Sequence, residues 1–392
     1  MTARQARLPD DDSPDEGRRS IGGSPAPVVA GQDIVQRKPL TERAWNYARN
    51  RLGRVLFRLD RVLLPLAAAS PFCTKIYYFL FNSAFTREQH ATLAGRWQHI
   101  RHMTSSAVAA VVVRRNIHRL EKGLCMVPAR ERFALDYIDE TLSAFGNLLK
   151  APQAHELPLI RYAHDVLCAY FVATRWTAAA PQPARFERLS AQARAQIRTG
   201  APAVPTAQQS LPHTDIGYAQ FLTLTQRRAS VRNFRPVEVP RWAIEQAVAA
   251  AAQAPSACNR QPLRYIAVAD NPTKQQLVRL PMGTAGYAEG IPVMLAVVGD
   301  LSAYPYERDR HIIYIDASLA NMQFMLALET LGLSSCAINW PDMETRERKA
   351  AALLKLEPYE RIVMLIAVGY PDPSGLVPHS EKKSVEEMLS WM

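Results

Sequence analysis

The sequence predicts an all-helical N-terminal region followed by an α+β domain in which one mixed sheet is flanked by helices. Two observations lead to this fold class. Apolar residues recur at helical spacing through residues 41–200. From Thr214 onward, helical stretches alternate with short apolar runs of strand length. A Rossmann fold fails as the alternative, because no Gly-x-Gly-x-x-Gly motif follows a predicted strand.

The composition is typical of a soluble globular protein with a basic excess. The chain has 392 residues, room for two domains, with 48% hydrophobic and 21% charged residues. Its net charge of +11 favours anionic partners, such as a phosphate-bearing cofactor or an anionic membrane surface. Nucleic acid is not expected as a partner, because no recognition motif is present. Five scattered cysteines predict reduced thiols and no metal site, and the lack of a secretory signal predicts a cytoplasmic protein.

Composition divides the chain into four parts. Residues 1–40 are rich in Pro, Gly, Ser, Asp and Arg, with few large apolar groups, which predicts a disordered tail. Residues 41–200 are the predicted helical region. Residues 201–213, rich in Pro, Ala, Gln and Ser, are the predicted linker to the second domain at residues 214–392.

A basic amphipathic segment opens the helical region. Apolar residues between Leu52 and Leu63 recur at helical spacing, and four arginines share the opposite side. The apolar runs at 63–72 and 76–81 are interrupted by prolines and a lysine, and they are too short for a transmembrane helix of about 20 apolar residues. Two interpretations remain: these stretches pack on the protein itself, or residues 43–85 make a peripheral contact with the inner face of a membrane.

The next predicted helix runs from Ser105 to Lys122, and Gly123 is expected to end it in a left-handed turn. Cations in its last turns complement the helix dipole and by themselves require no ligand. Among them, His118 and Glu121 can serve chemistry or form a hydrogen-bonded structural pair. Two further helices are predicted, at residues 135–149 and 157–176.

The second domain is predicted element by element. Thr214 or Asp215 caps a helix that ends near Arg227, and Pro240 opens a helix that ends before Pro255. The remaining predicted elements are strands at 263–269, 293–298, 333–338 and 362–368, a short helix from Asn271, and a long helix from about Arg310 to Gly332.

Two motifs in this domain point to a bound ligand. In the segment Arg228-Ala-Ser-Val-Arg232, the alternation of an extended chain sends two guanidinium groups and the Ser230 hydroxyl the same way, which suits a phosphate. The second motif, Pro255-Ser-Ala-Cys-Asn-Arg-Gln-Pro262, follows after one helix's length. Taken alone, the first is better explained as a solvated basic strand edge. A proline-stopped helix with a local turn at Asn259 explains Pro255 in the second motif but not the whole run.

Together with the elements that follow them, these motifs closely resemble the FMN-dependent nitroreductase family, from about Thr214 to the C-terminus. The resemblance implies a flavoprotein that forms a homodimer and builds each active site from both protomers. It implies an oxidoreductase in which flavin N5 accepts hydride from NADH or NADPH in a ping-pong cycle. Electrons then pass to a nitro, quinone or related electron-poor small molecule, and no protein nucleophile is needed.

The resemblance also assigns roles to the two motifs. Arg228, Ser230 and Arg232 are implied to hold the phosphate, ribityl chain and pyrimidine edge of FMN. A loop is implied to extend across the dimer interface onto the flavin bound by the partner. Its matching residues are Pro255, Ser256, Ala257, Cys258, Asn259 and Gln261.

Later parts of the domain match the family as well. Ile338 and Asn339 match positions whose backbone N–H groups lie near flavin N5, and Trp340 departs from the small residue often found next to them. Lys382 and Lys383 match a terminal basic pair that reaches the phosphate, with a solvated surface pair as the alternative. Cys258 and Cys336 are expected near the ring as inert thiols.

A second function class remains open. The segment His118-Arg-Leu-Glu-Lys-Gly-Leu124 resembles a stretch that precedes nitroreductase-like domains encoded beside surface-polysaccharide pathways. Together with the basic amphipathic segment, it is consistent with a membrane-associated accessory protein of such a pathway. In that case the flavin fold serves as a binding or structural module.

Overall fold

A computed structural model describes residues 62–101, 106–150, 156–197 and 200–392. The predicted tail at 1–40 and most of the predicted basic helix, up to residue 61, lie outside the described residues. The chain divides into two compact units, Met1–Thr74 and Lys75–Met392. In the first unit residues 62–68 are helical, and the hydroxyl of Thr74 donates to the carbonyl of Ala67 at 2.8 Å.

Helices make up the regular structure of the described residues before 198. They are α1 (Pro71–Leu80), α2 (Thr86–Arg101), α3 (Ser106–Leu124), α4 (Ile138–Lys150), α5 (Leu157–Ala173) and α6 (Pro181–Arg194). Helices α3 to α6 bury a common apolar core that includes Leu120, Phe145 and Tyr170. The predicted helical region is therefore helical where the structure describes it. No described helix has the length and apolar character needed to cross a bilayer.

Gly123 has a different role from the predicted one. Helix α3 continues to Leu124, and Gly123 does not adopt a positive φ, so the predicted left-handed ending at this residue is wrong. A Cβ atom at Gly123 would lie 2.1 Å from Cε2 of Phe133. The glycine is therefore needed because an aromatic ring packs directly against the helix backbone.

The second part of the chain contains a four-stranded antiparallel sheet. Its strands are β1 (Leu263–Val268), β2 (Val293–Asp300), β3 (Ser334–Asn339) and β4 (Glu360–Gly369), in the order β1-β2-β4-β3. The two central strands are almost entirely buried, as expected for strands covered on both faces. Strand β3 is an edge strand, so one of its two sides has no neighbouring strand in the described part of the chain and is open to other segments.

Helices cover both faces of the sheet. The helices of this part are α7 (Tyr218–Arg227), α8 (Arg241–Ala251), α9 (Asn271–Leu277), α10 (Ile312–Thr330), α11 (Glu344–Leu354) and α12 (Val385–Met388). Residues of α8 and α10 bury one face of the sheet, and residues of α9 and α11 bury the other. The predicted α+β class, a sheet flanked by helices after a helical region, is confirmed. The sheet was predicted to be mixed, and its four strands are all antiparallel.

The helical region packs on the sheet domain through helices α2 and α3. Helix α2 lies against the turn Leu301–Ala303 after β2, where Nδ1 of His99 is 2.7 Å from the carbonyl oxygen of Ser302. Helix α3 lies against the turn Ala257–Asn259 in the second sequence motif. The two regions therefore share one compact unit, and the predicted linker at 201–213 stays a prediction.

Candidate functional site

The segment Arg228–Arg232 runs along the open edge of β3. Helix α7 ends at Arg227, and the chain turns extended at Arg228, with φ −63° and ψ 107°. The backbone N–H of Val231 donates to the carbonyl of Ser335 at 3.0 Å, and Ser230 and Ser335 form a parallel bridge. The extended course predicted for this segment is therefore present, and it places Ser230 beside β3.

Polar groups without partners gather at this edge. Nε of Arg228 and Oγ of Ser335 are buried and have no hydrogen-bond partner among the described residues. Leaving such groups unpaired costs about 1–3 kcal/mol each. Nη1 of Arg232 donates to the carbonyl of Ser230 at 3.2 Å. Unused hydrogen-bonding capacity and positive charge therefore occur along this edge, which fits a ligand with anionic oxygen acceptors.

Tyr287 and Cys336 lie together on the face of the sheet that α9 and α11 cover. The guanidinium carbon of Arg232 is 5.9 Å from the centroid of the Tyr287 ring, and the Tyr287 hydroxyl is 3.8 Å from Sγ of Cys336. Burial, with a smaller contribution from Cys336, raises the pKa of Tyr287 to about 12. The phenol therefore stays protonated near neutral pH. Sequence reasoning missed Tyr287, because no local pattern marks it.

The register of β3 separates its residues into two sets. N–H and C=O of one residue in an antiparallel strand point to the same edge, and successive residues alternate. Because the carbonyl of Ser335 points to Val231, the backbone groups of Ala337 and Asn339 also face the open edge. Ile338 instead faces Leu365 of β4, and its side chain is buried. The register thus favours Asn339 over Ile338 as a backbone donor.

The second motif forms a tightly folded loop, Pro255–Gln261. The N–H of Ala257 donates to Oδ2 of Asp316 on α10 at 3.0 Å. Within the loop, the N–H of Gln261 donates to Oγ of Ser256 at 3.1 Å, and Nε2 of Gln261 donates to Oδ1 of Asn259 at 2.9 Å. The hydrogen bonds hold the loop to the sheet domain and fix the Asn259 amide.

The backbone of this loop is unusual. Cys258, Asn259 and Gln261 have φ of 53°, 53° and 52°, in the left-handed region that residues other than glycine seldom adopt. Residues held in this region cluster at binding sites and switch regions. The local geometry therefore marks the loop as a candidate functional element.

The remaining predicted residues lie apart. Lys382 and Lys383 are exposed, and Nζ of Lys382 donates to the carbonyl of Ser380 at 2.6 Å. Trp340 is buried and donates to Glu347, so it fills the core behind β3. Among the described residues, no hydrogen bond or ion pair joins the lysine pair or the Pro255–Gln261 loop to the Arg228–Arg232 segment.

An apolar cavity of about 450 Å³ lies next to the loop. Its walls come from α8, β1 and α10, and Pro255, Ser256 and Gln261 contribute to its lining. The Arg228–Arg232 segment does not line it. The cavity is therefore separate from the cationic edge of β3 within one chain.

Comparison with known proteins adds a family match in the C-terminal part. A model described as the nitroreductase family matches residues 225–285 and 273–370. A relative named NADH dehydrogenase from Thermus thermophilus is 28% identical over 200 residues, which cover 43% of this chain and 94% of that protein. An iodotyrosine deiodinase from Thermotoga neapolitana is 27% identical over 183 residues, which cover 40% of this chain and 92% of that protein.

Solved structures match the same share of the chain. A putative nitroreductase from Desulfovibrio desulfuricans, solved in complex with FMN, is 25% identical. The match covers 44% of this chain and 95% of that chain, with a TM-score of 0.36. The family match begins at residue 225, so the helical region lies outside it.

Proposed function

Residues 225–370 are a nitroreductase family domain, and we propose that this protein is an FMN-dependent oxidoreductase that uses NADH or NADPH to reduce a nitro, quinone or related electron-poor small molecule. The observation that carries the proposal is the edge of β3, where Ser230 pairs with Ser335 and where Nε of Arg228 is buried without a hydrogen-bond partner among the described residues. The name of the Thermus relative supports a nicotinamide electron donor.

The edge of β3 fits FMN in the chemistry of its donors. Arg228 and Ser230 offer a guanidinium and a hydroxyl to a phosphate and a ribityl chain, and Arg232 offers a cation to the pyrimidine edge. Asn339 offers a backbone N–H at the open edge of the strand, and Lys382 and Lys383 add positive charge from the C-terminal segment. FMN, when bound, supplies hydride acceptance and donation at N5 in a ping-pong cycle. The protein supplies position and charge.

We include a homodimer in the proposal, with each site built from two chains. Exposed apolar side chains on α7 and α10 include Phe221, Ile315 and Leu319, and Trp391 near the C-terminus is also exposed. Exposed apolar patches of this kind are typical of protein interfaces. Within the described chain, no hydrogen bond or ion pair joins the Pro255–Gln261 loop to Arg228–Arg232, which is consistent with a loop that serves the partner's flavin.

The proposal is tested by flavin binding in three variants. We expect Arg228→Ala and Arg232→Ala each to raise the Kd for FMN about 10- to 100-fold, because each removes a charge-assisted hydrogen bond worth about 1.5–3 kcal/mol. Arg279→Ala is the matched control, since Arg279 pairs with Glu289 on the exposed surface of the same domain. The Kd is measured by the quenching of FMN fluorescence during titration.

Two results would contradict the proposal. Purified wild-type protein that stays colourless after FMN is added has no flavin site. Arginine variants that match Arg279→Ala in FMN affinity would move the site away from the edge of β3. Oxidation of NADH or NADPH by the wild-type protein only when a quinone or nitroaromatic acceptor is present supports the reaction class.

A second candidate function follows from exposed apolar residues near the start of the described chain. Leu66, Phe72, Phe79, Leu80 and Phe81 are all exposed. Exposed apolar residues that follow a basic segment of the sequence suit an anionic lipid surface, where a membrane-associated accessory protein of a polysaccharide pathway would act. Sedimentation with membranes that is lost on removal of residues 41–85, in a protein without flavin turnover, would favour this candidate over the first.

A further inference from the structure

Helix α3 of the N-terminal region packs against the Pro255–Gln261 loop at the turn Ala257–Asn259. Helix α2 carries the buried His99. Burial lowers the pKa of His99, the hydrogen bond with Ser302 opposes this, and the charges of Arg115 and of Arg260 in the loop lower it further. The loop that by family resemblance reaches a flavin is therefore covered, in its own chain, by a region outside the family match.

A chain of polar contacts connects the helical region to the loop, where helix α3 packs against the turn Ala257–Asn259. Nε2 of Gln261 donates to Oδ1 of Asn259 at 2.9 Å, and the side chain of Asn259 in turn approaches the hydroxyl of Tyr162 on α5 closely enough to lower its pKa. The hydroxyl of Tyr162 donates to Oε2 of Glu121 on α3. Nδ1 of His118 lies 3.6 Å from the same carboxylate oxygen.

The direction of each bond follows from the donors available. Burial, followed by Glu121, raises the pKa of Tyr162 well above its usual value, so its hydroxyl keeps the proton that it donates to Glu121. The Tyr162 oxygen can then only accept from Asn259, whose amide N–H₂ must point toward it. Because Gln261 donates to the amide oxygen on the other side, both ends of the Asn259 side chain are fixed.

Arg260 gives the loop a second anchor next to the helical region. Its side chain is buried, its guanidinium carbon lies 5.1 Å from the centroid of the Tyr304 ring, and Nη1 donates to the carbonyl of Ala257 at 3.4 Å. Tyr304 follows directly on the turn Leu301–Ala303 against which α2 packs. Both helices thus meet parts of the chain that hold the loop.

We propose that Tyr162, oriented by Glu121, is a positioning residue for Asn259, so that the N-terminal helical region builds part of the flavin site that the loop serves. The inference rests on the proposed function, since the flavin role of the loop does. Tyr162 acts through the Asn259 amide and does not itself touch the cofactor. The His118-to-Leu124 segment then has a role at the site, because it carries Glu121, which orients the tyrosine.

The test uses the full chain and a matched pair of tyrosines on α5. Tyr162→Phe removes the hydroxyl that links Glu121 to Asn259. Tyr170→Phe removes the hydroxyl of a fully buried tyrosine, which donates to the carbonyl of Phe133 at 2.7 Å inside the helical core and away from the loop. Glu121→Gln is the conservative variant, because the amide oxygen still accepts from Tyr162.

Two readouts are measured in each variant. The first is the alkylation rate of Cys258, a partly buried thiol in the loop, measured without FMN and resolved by peptide mass spectrometry, with the exposed Cys125 as internal reference. The second is the Kd for FMN. We expect Tyr162→Phe to raise both about 2- to 10-fold, the effect of one lost hydrogen bond. Tyr170→Phe and Glu121→Gln are expected to stay within about twofold of wild type.

The outcomes separate the two proposals. Equal alkylation rates of Cys258 in wild type and Tyr162→Phe would overturn the positioning role of Tyr162, whatever the affinity for FMN. A similar rise in Tyr170→Phe would also overturn it, because loosening would then be general. Wild-type protein that binds no FMN would overturn the proposed function and with it the flavin role of Tyr162, and the Cys258 rates distinguish that failure from the first.

Discussion

Asp316 anchors the Pro255–Gln261 loop from inside the protein. Its side chain is almost fully buried, and one carboxylate oxygen accepts the N–H of Ala257. Burial raises the pKa of Asp316, although the hydrogen bond from Ala257 and the charge of Arg260 act in the opposite direction. The same residue that shapes the loop therefore makes the folded protein sensitive to pH.

A pH dependence follows for Asp316→Asn. The pKa of Asp316 is higher in the folded than in the unfolded chain, so its contribution to stability is full below about 3.8 and is lost as pH rises through the folded pKa. Urea unfolding at pH 3.5–7.5 should show wild type losing stability with rising pH relative to Asp316→Asn. A difference in unfolding free energy that is constant over this range would refute the assignment. Asp316→Ala, which leaves the Ala257 N–H unpaired, should cost about 1–3 kcal/mol at pH 7.

How far single residues could be predicted depends on where their partners lie in the chain. The course of the Arg228–Arg232 segment was predictable from five consecutive residues, and the structure places it along a strand edge, whereas the flavin roles of Arg228, Ser230 and Arg232 stay predictions. Asp316 and Tyr162 were not predictable, since their contacts with the loop cross 59 and more residues of sequence. Local patterns do not encode such contacts.

At the scale of elements, close approach between α2 and the sheet domain depends on one small residue. A Cβ atom at Gly95 would lie 2.7 Å from the backbone carbon and oxygen of Leu301. The backbone of Leu301 cannot move aside as the end of a flexible side chain can. Gly95 therefore allows the helical region to sit where it reaches the loop.

Gly95→Ala tests this contact. Alanine normally stabilises a helix interior by about 0.5–1 kcal/mol over glycine, whereas overpacking costs about 1–3 kcal/mol, so we expect a net loss of stability. Gly290→Ala is the control, because a Cβ atom there would meet nothing within 4 Å. The change in unfolding free energy relative to wild type, measured by thermal and urea unfolding, should differ in sign or size between the two variants. Gly95→Ala protein as stable as wild type would show that the junction adapts.

Elements were predicted well from periodicity, and their ends less well. The strands of the second domain lie within a few residues of their predicted bounds, because short apolar runs between helices leave few other interpretations. Gly123 misled the prediction, since a glycine late in a helix has two common causes. The left-handed ending is a local cause, and the packing of Phe133 is a tertiary one that only the folded chain reveals.

For the whole molecule, the proposed dimer places an interface on exposed apolar residues of α10. Leu319→Asp introduces a charge there, and Val172→Asp introduces the same charge at an exposed apolar residue of the helical region. Sedimentation velocity at micromolar concentration should show a dimer for wild type and Val172→Asp, and a monomer with weakened FMN binding for Leu319→Asp. A wild-type monomer, or a dimer in both variants, would contradict an interface at this face.

The three left-handed residues of the Pro255–Gln261 loop have a consequence for assembly. A free chain would seldom adopt this shape, yet a single subunit already holds it through internal hydrogen bonds. A surface shaped beforehand loses little conformational entropy when two subunits meet. In the proposed homodimer, association would then be close to a rigid-body encounter, and a change that lets the loop relax would slow and weaken the pairing of the subunits as well as destabilise each one.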